Sequence, residues 1–247
     1  MIWKNIFILF FLCAWVSIGR AESVRETWNI VVDEFPPFTC VRCPDGGAGI
    51  KALSEALQTV NIDIVVTYLP FVHVLREARS QKYLGYFSWL ASMQSGYANP
   101  SKALFLSRLT LVEQKNHPLV WKELSDLKGK RIGLYEGSGY FEEFMDLVNR
   151  GVITVLLYPG DDVRIRLVAQ GKLDGALMDR DNAIYHIKQL QSSIREKVQV
   201  SEHILHTQGT YFVIQKKHAE KMKILEKALG NVDTQKIVDD YLLKYQQ

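Results

Sequence analysis

Twice along this chain the hydrophobic period switches between two and 3.6, each time in the order strand, helix, strand, helix, strand. Residues 28–32 are a short apolar strand, 49–60 carry a helical stripe at Ile50, Leu53, Ala56, Leu57 and Val60, and 62–69 alternate with β-branched residues. Pro70 opens a second helix with Val72, Leu75 and Ala78 on one face, and 83–90 is an aromatic and apolar strand. The pattern restarts after Lys128-Gly129-Lys130, with strands at 131–135, 153–157 and 174–178 and helices at 141–149, 162–169 and 183–190. Strands alternating with helices predict mostly parallel sheets covered on both faces, and the restart predicts two such units.

Two extended segments break the alternation. Residues 109–115 and 210–216 are strand-like with no helix directly after the first, and they are expected to cross between the two units, with helices at 218–229 and 232–243 returning to the first. The predicted fold is α/β and two-lobed. One discontinuous lobe comprises 22–112 and 208–247, and the other 113–207. In open α/β sheets ligands sit beyond the carboxyl ends of the strands, so both sets of strand ends should face one cleft.

Residues 1–21 read as a signal peptide. Lys4 supplies the positive charge, 6–16 an apolar run too short to span a bilayer, and Gly19 and Ala21 the small residues of a cleavage site. The product is expected in the periplasm. Of the 30 basic residues, removal of Lys4 and Arg20 leaves 28 against 27 acidic, a balance that gives no reason to expect nucleic acid or an anionic membrane as partner.

Cys40 and Cys43 then remain, in C-x-x-C spacing. The pair reads as a structural disulfide, half of a metal site or a redox pair. Pro44-Asp45-Gly46-Gly47 after it is turn chemistry rather than the start of a helix, and no second pair of Cys or His stands at zinc-ligand spacing, so the disulfide is favoured. No metal or cofactor is called for.

The run from Asp126 to Tyr140 carries the densest chemistry. A buried strand feeds through Gly137-Ser138-Gly139, expected to lead directly into a helix whose first N–H groups would greet a polar or anionic ligand. The alternative role for Ser138 is an ordinary helix N-cap.

Together the F-P-P-F of Phe35 to Phe38, G-I-K-A-L-S-E-A-L from Gly49, D-L-K-G-K-R-I-G from Asp126, the G-S-G turn and G-K-L-D-G-A-L-M-D ending at Asp179 resemble the periplasmic solute-binding proteins of the amino-acid type, extracellular family 3. The resemblance runs over nearly the whole chain after residue 21. It implies a two-lobed receptor that closes on a small molecule for an ABC permease. It also implies roles: Asp179 for a ligand ammonium, Ser138 and Gly139 for a ligand carboxylate, Phe35 and Phe38 at the aromatic edge of the cleft, and Trp89, Ser92 and Tyr97 as contacts from the first lobe. Asp179 has a second reading, as the cap of the helix that follows. Asp174 is better read as structural.

Two departures bear on the ligand. The family's carboxylate-clamping Arg has no counterpart in 92–100, where Lys102 and Arg108 are out of register, and Gly85 stands where the first lobe would carry an Asp. A ligand other than a standard amino acid is therefore expected. The alternatives are a sensory or scaffold protein contacting a membrane partner, and a dehydratase-like enzyme, for which the scattered His73, His117, His203 and His206 and the loop acids Glu34 and Glu136 offer no catalytic spacing. A monomer is expected.

Overall fold

The computed structural model describes residues 25–88 and 96–246, and the expected signal peptide lies outside them. In the first lobe, β1 (Glu26–Val32) pairs in parallel with β2 (Ile62–Tyr68) and β3 (Gly85–Ser88), linked by α1 (Ala48–Gln58) and α2 (Phe71–Glu77). After the short β4 (Tyr97–Ala98) comes a ten-residue strand, β5 (Phe105–Gln114). The second lobe follows: β6 (Arg131–Tyr135), α3 (Glu142–Asn149), β7 (Thr154–Tyr158), α4 (Asp161–Ala169), β8 (Gly175–Asp179), α5 (Arg180–Gln189), α6 (Ser192–Arg195) and β9 (Val198–Val200). A second ten-residue strand, β10 (His206–Gln215), precedes α7 (Ala219–Gly230) and α8 (Thr234–Gln246). Both β6–β7 and β6–β8 are parallel, as the alternating pattern requires.

The two long strands join the lobes. Residues 105–109 of β5 lie antiparallel to 206–210 of β10. Beyond this shared stretch they part. β5 continues along β8 and β9, while residues 211–214 of β10 pair with β3. The sheet order is β2-β1-β3-β10-β5-β8-β6-β7, so every route between lobes passes through this one antiparallel pair.

Each lobe is packed on both faces of its sheet because successive strand side chains point to opposite sides. Ile30 and Val32 of β1 enter a core with α1, α7 and α8, whereas Val31 between them packs with Val74 of α2 and with Ala78 just after it. In β5, Leu109 and Leu111 face α3 through Phe141 and Phe144, and Val112 faces Ile165 and Val168 of α4. Within α2 the buried residue is Val74, and the C-cap Ala78 is buried beside it. Val72, expected on that face, is exposed.

The glycine at 85 has a local cause. A Cβ there would lie 2.0 Å from the Val213 carbonyl oxygen of β10, so no side chain fits. The strand pairing itself forbids the acid that the family pattern places in this position. Cys40 and Cys43 are disulfide-bonded, both buried, in the loop that leads into α1. Among the described residues no helix is long and apolar enough to cross a membrane.

Candidate functional site

A cavity of about 70 Å³ lies between the lobes at the carboxyl ends of β1, β6 and β8. Asp33, Glu34, Phe35 and Phe71 come from the first lobe and Ser107, Leu109 and Gln208 from the crossover strands. The second lobe adds Tyr135, Ser138, Gly139, Tyr140, Asp161, Arg164, Asp179 and Asn182. One buried hydrogen bond spans the cleft directly: Asn182 Nδ2 donates to the Pro36 carbonyl at 2.7 Å.

Asp179 ends β8 and caps α5. Its Oδ1 accepts from the N–H groups of Asp181 and Asn182 at 2.9 and 3.1 Å. Its Oδ2 accepts from Ser107 Oγ at 2.7 Å and from the Arg108 N–H at 3.1 Å. A carboxylate offers about four acceptor positions, so Asp179 is saturated by its own chain. Burial nonetheless pushes its pKa up to about 6, against the pull of the Ser107 hydroxyl and the backbone donors. The helix-capping role is the one its bonds describe.

Asp161 opens α4 and is tied to Arg164 one turn on, whose Nη2 donates to it. His186 Nε2 lies 3.2 Å from its other oxygen. Burial alone would raise the Asp161 carboxyl, but the His186 ring and the Arg164 guanidinium outweigh it and hold it below the ordinary range. Arg164 itself is only 3% exposed; its Nη1 donates to the Leu177 carbonyl at 2.7 Å and its guanidinium lies over the Tyr135 ring.

Asp33 differs. It is half-buried at the end of β1, and no side chain of the described residues hydrogen-bonds its carboxylate. Burial, assisted by the charges of Asp161 across the cleft and of Glu34, raises its pKa to about 6. Two further polar atoms on buried side chains of the cavity have no partner among the described residues, Arg164 Nε and Asn182 Oδ1.

Of the residues expected at the site, Phe35, Ser138, Gly139 and Asp179 line the cavity together. Phe38 does not. It is 1% exposed and stacks on Phe105 at 4.7 Å, which makes it a core residue beneath Phe35. Tyr97 is also elsewhere: its hydroxyl donates to the Ala78 carbonyl and its ring meets Tyr86 edge-on. Trp89 and Ser92 lie outside the described residues. The Gly-Ser-Gly turn does not open a helix. Gly137 takes φ +79°, Ser138 N–H donates to the Tyr135 carbonyl, and α3 starts only at Glu142 with Phe141 as its N-cap. Ser138 is therefore a turn residue rather than a cap, and Tyr140 reaches back so that its hydroxyl accepts from the Tyr135 N–H at 2.8 Å.

Lys102, Arg108 and Arg180 are all held away from the cavity: Lys102 Nζ by the Leu229 and Val232 carbonyls, the two arginines by Asp181. Sequence reading did not reach Asp33, Asp161, Arg164 or the Asn182 side chain. The one available signal was a lone Arg at 164 among the apolar positions of α4, next to Ile165 and one turn before Val168. Asp174 is structural, forked onto Arg131 at 3.0 Å from both Nε and Nη2.

No family profile matches the chain, and neither does any curated protein. Solved structures do. A histidine kinase sensor domain with similarity to periplasmic binding proteins superposes with TM-score 0.72 at 14% identity, covering 90% of this chain and 96% of that one. The GluR0 ligand-binding core in complex with L-glutamate gives 0.73 at 12% identity over 91% and 100%. An ancestral arginine-binding protein bound to arginine gives 0.69 at 18% identity over 90% and 99%. The chain thus has the two-lobed fold of periplasmic binding proteins and Venus flytrap sensor domains.

Proposed function

We propose that this protein is an exported receptor that closes two lobes, 22–112 with 208–247 and 113–207, on a small solute. The observation that carries this is the cavity itself. It is walled by both lobes and both crossover strands, and its lining residues include a half-buried carboxylate with no side-chain partner and two buried polar atoms with no partner among the described residues. Groups in that condition are costly to keep unless something else completes them. The single antiparallel crossover pair supports a hinge there, and Phe35, Ser138, Gly139 and Asp179 form part of the wall that meets the solute. The Cys40–Cys43 disulfide accords with an oxidising compartment such as the periplasm.

Delivery to an ABC permease is the first reading of its physiological role. The second, a sensory domain that passes closure to a membrane partner, is favoured by the histidine kinase sensor domain that shares its fold. Thermal-shift screening against amino acids, amines and small organic acids tests the receptor function. Stabilisation by at least one class is expected, and none with the fold intact contradicts it. Affinity capture from membranes separates the roles by whether a permease or a kinase is retained.

A further inference from the structure

The charges in the cavity do not balance. Four carboxylates, Asp33, Glu34, Asp161 and Asp179, face one guanidinium, Arg164. Asp179 is saturated by donors from its own chain, and Asp161 is held by Arg164 with His186 beside it. Glu34 is exposed and accepts from the Val41 N–H, which leaves Asp33, on the opposite lobe from Asp161 and Asp179, as the half-buried carboxylate with no side-chain partner among the described residues. Asn182 is 1% exposed, and its Oδ1 is a second acceptor without a donor among the described residues. Arg164 offers the reverse, one buried N–H at Nε without an acceptor among the described residues.

Resting on the receptor function proposed above, we infer that the ligand is a small organic cation, an ammonium with an oxygen acceptor a few bonds away. Asp33 is its counter-ion, and small turns of the lining side chains Asn182 and Arg164 bring Oδ1 in as its second acceptor and Nε to the oxygen. An ammonium has donors for Asp33 and Asn182 together. A ligand carboxylate would meet a guanidinium already neutralised by Asp161, in a cavity whose remaining charge is negative. The assignment also reverses the arrangement that the family resemblance implies, in which the first lobe supplies the cation and the second the anion. Here the acid stands on the first lobe and the arginine on the second. A cavity of about 70 Å³ suits a short amino alcohol such as ethanolamine.

The test is calorimetric titration of the purified protein with ethanolamine, propylamine, ethylene glycol, glycolate and glycine, repeated on Asp33→Asn. Ethanolamine is expected to bind best, propylamine more weakly, ethylene glycol and glycolate not at all, and zwitterionic glycine, whose carboxylate meets the negative cavity, far more weakly than ethanolamine. Loss of one charge-assisted contact in Asp33→Asn should weaken ethanolamine about ten- to a hundredfold. Glycolate or glycine binding as tightly as ethanolamine, or unchanged ethanolamine affinity in Asp33→Asn, overturns the cation assignment and leaves the receptor function standing. If none of the five binds while circular dichroism reports a native fold, the cation assignment falls, and the receptor function falls with it only if the thermal-shift screen is blank as well.

Discussion

Replacing Asp33 by Asn should stabilise the empty protein, and by an amount that depends on pH. The carboxyl is moved from 3.8 to about 6 by burial and by Asp161 and Glu34, with the Tyr135 hydroxyl also facing it. Above about pH 6 it is ionised in both the folded and unfolded chain, and the folded state bears the full penalty. Two units at 1.36 kcal/mol each make that about 3 kcal/mol, an upper figure because the side chain is only half-buried. Between about pH 6 and 4 the folded protein takes up a proton that the unfolded chain does not, so this penalty shrinks as pH falls. Below about 4 both states are protonated and it is gone. Asn mimics the protonated acid in shape and lacks its charge. Urea unfolding of both proteins should therefore show Asp33→Asn more stable by up to about 3 kcal/mol at pH 7.5, worth about 6–12 °C in Tm at this chain length, with the gap closing near pH 4. A variant that is less stable at pH 7.5, or equally shifted at both pH values, would refute the view that Asp33 is an uncompensated buried charge.

Three further outcomes follow from the fold. Gly85→Ala puts a methyl 2.0 Å from the Val213 carbonyl oxygen and should lower unfolding free energy by at least about 3 kcal/mol through disruption of the β3–β10 ladder, measured by urea titration. Asn182→Ala removes the bond to the Pro36 carbonyl; at about 1–1.5 kcal/mol the ratio of closed to open molecules should fall about tenfold, seen as a larger radius of gyration in X-ray scattering. Replacing both Cys40 and Cys43 by Ser frees a four-residue loop and should lower stability by about 2 kcal/mol, or 4–8 °C in Tm; a reductant should do the same to the wild type and nothing to the variant.

Much of this architecture was legible because period alone separates strand from helix where each element buries a single stripe or a full face. The crossover strands were harder to bound. Both begin about four residues earlier than their apolar runs, at Phe105 and His206, since the shared stretch includes Ser107, Arg108, Thr207 and Gln208. Those polar residues are strand residues because the partner strand satisfies their backbone, and Ser107 points at Asp179. The site was half legible. Ser138, Gly139, Asp179 and Phe35 sit at strand ends or turns that the pattern marks as cleft positions. Phe38 and Tyr97 share that pattern but turn inward, a choice made by the neighbours Phe105 and Ala78, which lie far away in sequence. Asp33 and Arg164 become informative only once burial and partners are known. A loop acid and a helix arginine are ordinary on a surface and consequential in a cavity.

Closure of the two lobes on a ligand is the central claim, and a distance across the cleft measures it. Spin labels at the exposed positions Gln58, at the end of α1, and Asn149, at the end of α3, report on opposite lobes. Pulsed electron resonance on the labelled protein should give a broad distribution when empty. With saturating ethanolamine, or whichever compound raises the Tm most in the screen, it should narrow to one shorter distance. A distribution that stays the same with a bound, stabilising compound would contradict the account.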